Sequence, residues 1–214
     1  MIGIPSLLRL AEHSALRTVA LSGKVLDLGG DANSEYLSFI KGSFSVTRLN
    51  LDPKTKPDIL HNLEEPLPVP DAAYDGVVLF NVLEHIYAYR ALVAESVRVL
   101  SPGGTVLVVV PFLFPVHPSP DDFHRFTAST LRRELQDAGL SEINITPLGG
   151  GVWSAQYLLI DRLLPKLIRF CMFYTCRYLV QVLDTVTIHL AHLLGKKYDP
   201  ADYALGFLVT GRKI

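Results

Sequence analysis

The sequence predicts an α/β fold built on a doubly wound, mainly parallel sheet. Three observations carry this. Short runs rich in Val and Leu, bounded by Gly, Pro or Asp, recur at Val25–Leu28, Val46–Leu51, Gly76–Phe80 and Thr105–Val110. Helical patterns fall between and after them, near Ser34–Ile40, Tyr87–Leu100 and Ala128–Ala138. The strand runs are continuously apolar instead of alternating, as strands covered on both faces by helices must be. Alternation of the two kinds of element winds a parallel sheet.

The amino end, "MIGIPSLLRLAEHSAL", reads as an amphipathic first helix, since Arg9, Glu12 and His13 interrupt its apolar run. It lacks the basic start and small-residue end of a secretory signal. The first strand then runs into Gly29 and Gly30. Asn81 followed by Glu84 has the spacing of a capping box, so "NVLEH" is expected to turn from strand directly into helix. Thr127 is placed to cap the helix over Ala128–Ala138, with Phe126 and Leu131 as its hydrophobic staple and Gly139 as its stop. "SPGG" at 101–104 reads as a structural turn before the strand at Thr105. "SEINITPL" and "YALGFLVTGRK" read as two further strands.

Between those last two strands, residues 152–197 form an apolar helical insertion. Leu159, Leu163, Leu167, Phe170, Tyr174, Tyr178 and Val182 fall at helical spacing, and Pro165 divides the segment into two helices. No stretch approaches 18 uncharged apolar residues, so a membrane span is not expected. A cap over the sheet, a dimer interface, core packing and peripheral contact with a membrane all fit such a pattern.

Composition bounds the partners. A chain of 214 residues is one domain, 1–214, or one domain with an appendage. Lys and Arg number 20 against 21 Asp and Glu, so no basic field favours nucleic acid. Hydrophobic residues make up 49% and mean hydropathy is +0.29, so an apolar surface is expected to be hidden against a partner, a lipid surface or a large core. Cys171 and Cys176 have the spacing of neither a metal site nor a disulfide framework. A cytoplasmic setting, with or without membrane association, is the simplest reading.

In an open α/β sheet, ligands bind beyond the carboxyl ends of the strands. Gly29 and Gly30 follow the first strand there, and backbone N–H groups at such a turn hold anionic groups. Asp52 ends the second strand, where a carboxylate accepts both hydroxyls of a ribose. Each also has a plain alternative, a tight turn at Gly29–Gly30 and a turn start at Asp52–Pro53. The pair alone suits any adenosine cofactor.

"DILHNLEEPLPVPDAAYDGVVLFNVLEHI", "RVLSPGGTVLVVVP" and "DFHRFTASTLRRELQDAGL" resemble the class I S-adenosylmethionine-dependent methyltransferases, and among them the broad family of small bacterial enzymes. The resemblance covers about residues 22–148. It implies a Rossmann-like seven-stranded sheet whose last strand, "YALGFLVTGRK", is antiparallel, and S-adenosyl-L-methionine as the cofactor. Position by position, it sets Asp27, Gly29 and Gly30, with Asp31 beside them, around the methionyl part. Asp52 and Pro53 fall at the ribose, Asn62 and Leu63 at the adenine, and Asn81 and Val82 on the floor near the sulfonium. Asn62 stands where the family more often has Asp, and its carbonyl oxygen still accepts from an adenine amino group.

The glycine loop departs most from the family's "DxGxGxG", with Asp31 and Asn33 replacing the second and third glycines. Asp31 crowds the loop and repels the cofactor's carboxylate, although it suits the ammonium. Asn33 is expected to tolerate a left-handed turn. On the acceptor side, "PFLFPVHPSPDDFHRFT" overhangs the same rim. His117 and His124 are the catalytic candidates, His117 first, as a base near neutral pKa. His124 and Arg125 equally suit anchoring of the loop. Glu84 serves either its helix cap or the cofactor, and His85 packs near the helix start.

The sequence therefore predicts methyl transfer, in line, to a small or lipid-linked acceptor, with a homodimer through 152–197 as one use of the insertion. The alternative is a non-catalytic relative that has lost tight cofactor binding and serves as a partner-binding subunit. An NAD-dependent oxidoreductase is disfavoured because G-x-G-x-x-G is absent.

Overall fold

The computed structural model describes residues 5–161 and 163–214. Seven strands form one sheet: β1 (Gly23–Leu28), β2 (Phe44–Asn50), β3 (Ile59–Leu60), β4 (Tyr74–Phe80), β5 (Leu100–Pro111), β6 (Leu140–Leu148) and β7 (Gly206–Lys213). Their spatial order is β3-β2-β1-β4-β5-β7-β6. The strands from β3 to β5 are parallel, and β7 runs antiparallel to both β5 and β6. The order reverses between β1 and β4, which opens a crevice beyond their carboxyl ends.

Among the described residues, five α-helices flank the sheet: α1 (Leu7–Leu16), α2 (Tyr89–Val99), α3 (Ala128–Asp137), α4 (Val152–Asp161) and α5 (Lys166–Leu193). Successive strand residues face opposite sides, so the continuous apolar runs feed two cores. Val77 and Leu79 pack with Leu92 and Val93 of α2 and Leu131 and Leu135 of α3. Val78 and Phe80 pack on the other face with Leu8 and Leu16 of α1 and Leu158 of α4. The start of α3 follows expectation: the Thr127 hydroxyl accepts from Thr130 N, Phe126 and Leu131 are buried, and Gly139 takes φ +94° at the stop.

Several local expectations fail for identifiable reasons. Ser34–Ile40 is not an α-helix but a single 3₁₀ turn at Tyr36–Phe39, without a side-chain cap. Its Tyr36 hydroxyl is drawn inward onto Asp27, and one turn gains too few backbone bonds to propagate. The Asn81–Glu84 capping box does not form. Asn81 adopts φ +55°, its amide turns to Glu12, and α2 begins only at Tyr89. β3 has two residues, too few for any periodicity to reveal. "SPGG" lies inside β5, where Gly103 takes φ +75° and the register against β4 shifts between Tyr74 and Gly76. Asn33 is not among the left-handed residues, so the loop after β1 turns by other means.

The insertion forms α4 and α5, divided at Pro165. Asp184 of α5 caps α4 from outside, accepting from Trp153 N at 2.9 Å and Ser154 N at 3.0 Å. Gly151 makes this approach feasible, since a Cβ there would lie 2.2 Å from Asp184 Cγ. Only Phe173, Val180 and Asp184 of α5 are buried. Leu167, Tyr174, Tyr178, Val182 and Leu190 are exposed on the same helix. Among the described residues, no helix is long and apolar enough to cross a membrane.

Candidate active site

The loops at the carboxyl ends of β1, β2 and β4 are tied into one rim. Gly29 has φ +75°, and a Cβ on it would lie 2.6 Å from Val82 Cγ2. A Cβ on Gly30 would lie 2.3 Å from Asp27 Oδ2. At Gly29 both the positive φ and the Val82 side chain exclude a Cβ, and at Gly30 a Cβ would force the buried Asp27 carboxyl to move. Asn50 registers this turn against the next one. Its amide donates to Gly29 O at 2.9 Å and Gly30 O at 3.0 Å, and its own oxygen accepts from Asp52 N at 3.0 Å. Ala32 N adds a bond to Thr55 O.

Asp27 is fully buried and accepts a 2.6 Å hydrogen bond from the Tyr36 hydroxyl. Burial pushes its carboxyl up to about 7, against the opposing pull of the Tyr36 hydrogen bond and of Arg48. Burial and the Asp27 charge push the Tyr36 phenol well above its ordinary range, so Tyr36 remains the donor.

Asp31 does not stand free in the loop. Its Oδ1 accepts from both the backbone N of Asn33 at 2.8 Å and the Asn33 amide at 2.9 Å. This Asx turn supplies the bend that a second glycine would have given. Asp52 caps the turn Pro53–Thr55 through Oδ1 to Lys54 N, so the turn-start reading holds. Its other carboxylate oxygen accepts no hydrogen bond from the described residues and lies on the exposed rim. Asn62 is half-buried, with its oxygen accepting from Glu64 N, and Leu63 beside it is buried.

On the far side of Asn81 lies a cavity of about 700 Å³. Arg9 and Glu12 of α1, Asn81, His85, His117 and Arg169 of α5 supply its polar lining, and Leu8, Pro111 and Phe114 part of the apolar one. Glu12 is buried, paired with Arg9 at 3.2 Å and bonded to the Asn81 amide at 2.9 Å. Burial raises its pKa. Asn81 Oδ1 is a buried acceptor without a hydrogen-bond partner among the described residues.

His117 faces this cavity from the loop after β5. Asp122 accepts from His117 N at 2.9 Å and forms a bidentate pair with Arg125. That pair holds Asp122 down to about 2. Burial lowers the His117 pKa, so the ring is neutral near pH 7. His85 meets it edge-on, with centroids 5.0 Å apart.

His124, the other catalytic candidate, does not line the cavity. Its ring packs against Tyr89 at 4.8 Å and Phe126 at 5.5 Å, and Nε2 contacts Tyr87 O at 3.3 Å. With Arg125 clamping Asp122, the structure gives both residues the anchoring role and gives the cavity to His117. Tyr36, Asn50 and Glu12 were not visible in the sequence, because each acts on a residue 9 to 69 positions away; the Asp122 clamp is local to its loop, where no periodicity announces it. The Glu84–His85 dipeptide stood in a quoted motif, but its burial beside His117 had no local signal.

This crevice and seven-stranded topology are those of the class I methyltransferases. Residues 26–108 match the family described as a methyltransferase domain. A probable S-adenosylmethionine-dependent methyltransferase of Mycolicibacterium smegmatis is 40% identical over 90 residues, covering 40% of this chain and 32% of that one. Over this segment the chain is similar to S-adenosylmethionine-dependent methyltransferases, and it spans about a third of the length of the curated relatives it matches. Among solved structures, the [4+2]-cyclase SpnF has a TM-score of 0.60 at 17% identity, covering 96% of this chain and 81% of that one. A Haemonchus contortus phosphoethanolamine N-methyltransferase 2 in complex with S-adenosyl-L-methionine gives 0.58 at 14%, covering 95% and 51%. At these identities the two structures establish the fold alone.

Proposed function

We propose that the protein transfers a methyl group from S-adenosylmethionine to a small or lipid-linked acceptor held in the cavity beside Asn81 and His117. One observation carries this reading. The Gly29–Gly30 turn, Asp52 and Asn81 share a single rim, and that rim opens at Asn81 onto a cavity containing a neutral histidine.

The residues present fit the cofactor. The two glycines leave backbone where any side chain would clash. The free oxygen of Asp52 suits ribose hydroxyls, and Asn62 and Leu63 offer a polar edge and an apolar surface to adenine. Asp31 keeps its charge but has Oδ1 fixed by two hydrogen bonds from Asn33, so its position in the loop is set. When bound, S-adenosylmethionine supplies an electrophilic methyl carbon with a sulfur leaving group.

The chain itself then has to position, desolvate and deprotonate the acceptor. Asn81 fixes the boundary between the rim and the cavity through its bond to Glu12. His117 Nδ1 lies 3.2 Å from Pro115 O, which fixes the tautomer and leaves Nε2 to take a proton from an acceptor hydroxyl. Arg9 and Arg169 bring guanidinium groups to the cavity lining, each already paired with a carboxylate, Glu12 at 3.2 Å and Asp161 at 3.0 Å, so they offer hydrogen-bond donors to a polar acceptor without an unpaired positive charge. The exposed apolar face of α5, which carries Arg169, is compatible with presentation of that acceptor from a lipid surface.

Isothermal titration with S-adenosylhomocysteine tests the reading. Micromolar binding that is lost on Asp52→Ala supports it. Absence of binding at millimolar ligand overturns it and leaves the non-catalytic alternative.

A further inference from the structure

Glu84 is fully buried in the turn after β4, and neither carboxylate oxygen has a hydrogen-bond partner among the described residues. Two imidazoles face it, with His85 Nε2 at 3.7 Å and His117 Nε2 at 3.9 Å from Glu84 Oε1. The opposite nitrogens of both rings are already committed. His85 Nδ1 lies 2.6 Å from Asp121 O, and His117 Nδ1 lies 3.2 Å from Pro115 O and 3.3 Å from Asp122 Oδ2. Carbonyl oxygens only accept, so each Nδ1 carries the hydrogen and each neutral ring presents an Nε2 lone pair. Two lone pairs and a buried carboxylate thus converge on one another. Such a set is satisfied by a proton shared between two of its members or by a cation held among all three.

We propose that Glu84, His85 and His117 form a binding site for one divalent transition-metal ion of the zinc class, with its remaining coordination position open to the cavity. The three residues can each offer one ligand atom with all three atoms within 4.8 Å of one another. Ligands at about 2.1 Å from a tetrahedral metal stand roughly 3.4 Å apart, so the two Glu84–histidine pairs, at 3.7 and 3.9 Å, need to close by about half an ångström or less, and the two imidazole nitrogens, which lie within 4.8 Å of each other, by at most about 1.4 Å. Two imidazoles and one carboxylate suit zinc and its neighbours, while magnesium and calcium prefer oxygen ligands.

The surroundings are those of a supported metal site. Each histidine donates its other N–H to an oxygen, and the Asp122–Arg125 pair holds one of those oxygens in place. His85 and His117 both line the cavity, so an acceptor hydroxyl entering it meets the open coordination position. In the metal-loaded protein His117 Nε2 is a ligand and no longer a free base. An acceptor hydroxyl on the metal then loses its proton to water before attack, its oxygen coordinated as an alkoxide or phenolate.

The test needs neither cofactor nor acceptor, so its outcome is independent of the transfer reaction proposed above. Chelator-treated protein is titrated with Co²⁺ and read by visible absorption, then competed with Zn²⁺. One equivalent should bind with a d–d spectrum of low coordination number, and Zn²⁺ should abolish that spectrum. Glu84→Gln and His117→Asn should each weaken Zn²⁺ binding by at least about tenfold, with circular dichroism confirming the fold. His117 lies on a half-buried loop, so its variant keeps the test open if Glu84→Gln does not fold. The proposal is overturned if the folded wild type binds no stoichiometric metal, which would leave a protonated Glu84 bonded to an imidazole. It is equally overturned if a folded variant binds as tightly as the wild type.

Discussion

Asp27 should make the stability of this protein fall as pH rises from about 4 to about 7, opposite to the usual behaviour of a paired carboxylate. The carboxyl is fully buried, and its pKa of about 7 compares with an ordinary value of 3.8. That gap of roughly three pH units corresponds to about 4 kcal/mol. Below about pH 4 Asp27 is protonated in both states and contributes no slope. Between about pH 4 and 7 the unfolded chain has released the proton and the folded chain retains it, so each rise in pH favours unfolding. Above about 7 both forms are ionised and the full penalty is in place. Other carboxylates titrate in the same range, so the measurement is a difference. Urea unfolding from pH 4.5 to 8 on the wild type and Asp27→Asn isolates this one group. The variant should gain about 3–4 kcal/mol relative to the wild type across that range. Tyr36→Phe removes a bond that lowers the Asp27 pKa, and should move the wild-type transition to higher pH. Parallel pH profiles for wild type and Asp27→Asn would refute the argument.

Two further variants probe the packing around the rim and the insertion. Gly30→Ala places a Cβ 2.3 Å from Asp27 Oδ2, so it should cost about 1–3 kcal/mol by overpacking and weaken S-adenosylhomocysteine binding measured by calorimetry. Wild-type affinity in that variant would show that the turn has room to spare. Asp184→Ala leaves Trp153 N and Ser154 N without their carboxylate acceptor, a loss of about 2–3 kcal/mol. At about 2–4 °C per kcal/mol, the melting temperature should drop by roughly 4–12 °C. An unchanged melting temperature would mean that α4 and α5 do not depend on this cap.

The parts of the fold that were legible in the sequence are those fixed by burial on a regular period. β1, β4 and β5 are buried along most of their apolar runs, so their Val- and Leu-rich stretches announce them, and Pro165 announces the break in the insertion; β2, with only Leu49 buried, is announced more weakly. What was not legible depends on a long-range partner. Asn81 followed by Glu84 has the local spacing of a capping box, yet Glu12, 69 residues earlier, takes the Asn81 amide. Tyr36 lies in a helical pattern until Asp27 pulls its hydroxyl inward. The same division holds at the site. Gly29, Gly30 and Asp52 could be placed from motif order, because each serves the end of a readable strand. The sequence put His117 ahead of His124 in one loop, and packing shows why the two differ, one facing Glu84 and the cavity and the other packed, half-buried, against Tyr89 and Phe126.

Asp31 shows how a departure from a motif can be compensated within the loop itself. A glycine at its position would give the chain freedom to turn but nothing to hold the turn. Asp31 instead closes the bend with two hydrogen bonds to Asn33, so the two non-glycine residues work as a pair and neither is an isolated defect. Asn50 on one side and the Ala32–Thr55 bond on the other then lock this turn to the one that carries Asp52. A ligand spanning the two turns meets a rim whose spacing is already set, and so loses less conformational freedom on binding than it would against a flexible glycine loop. On the proposed reading of this rim as the cofactor site, the residue whose charge argued against a cofactor in the bare sequence is part of what would preorganise it.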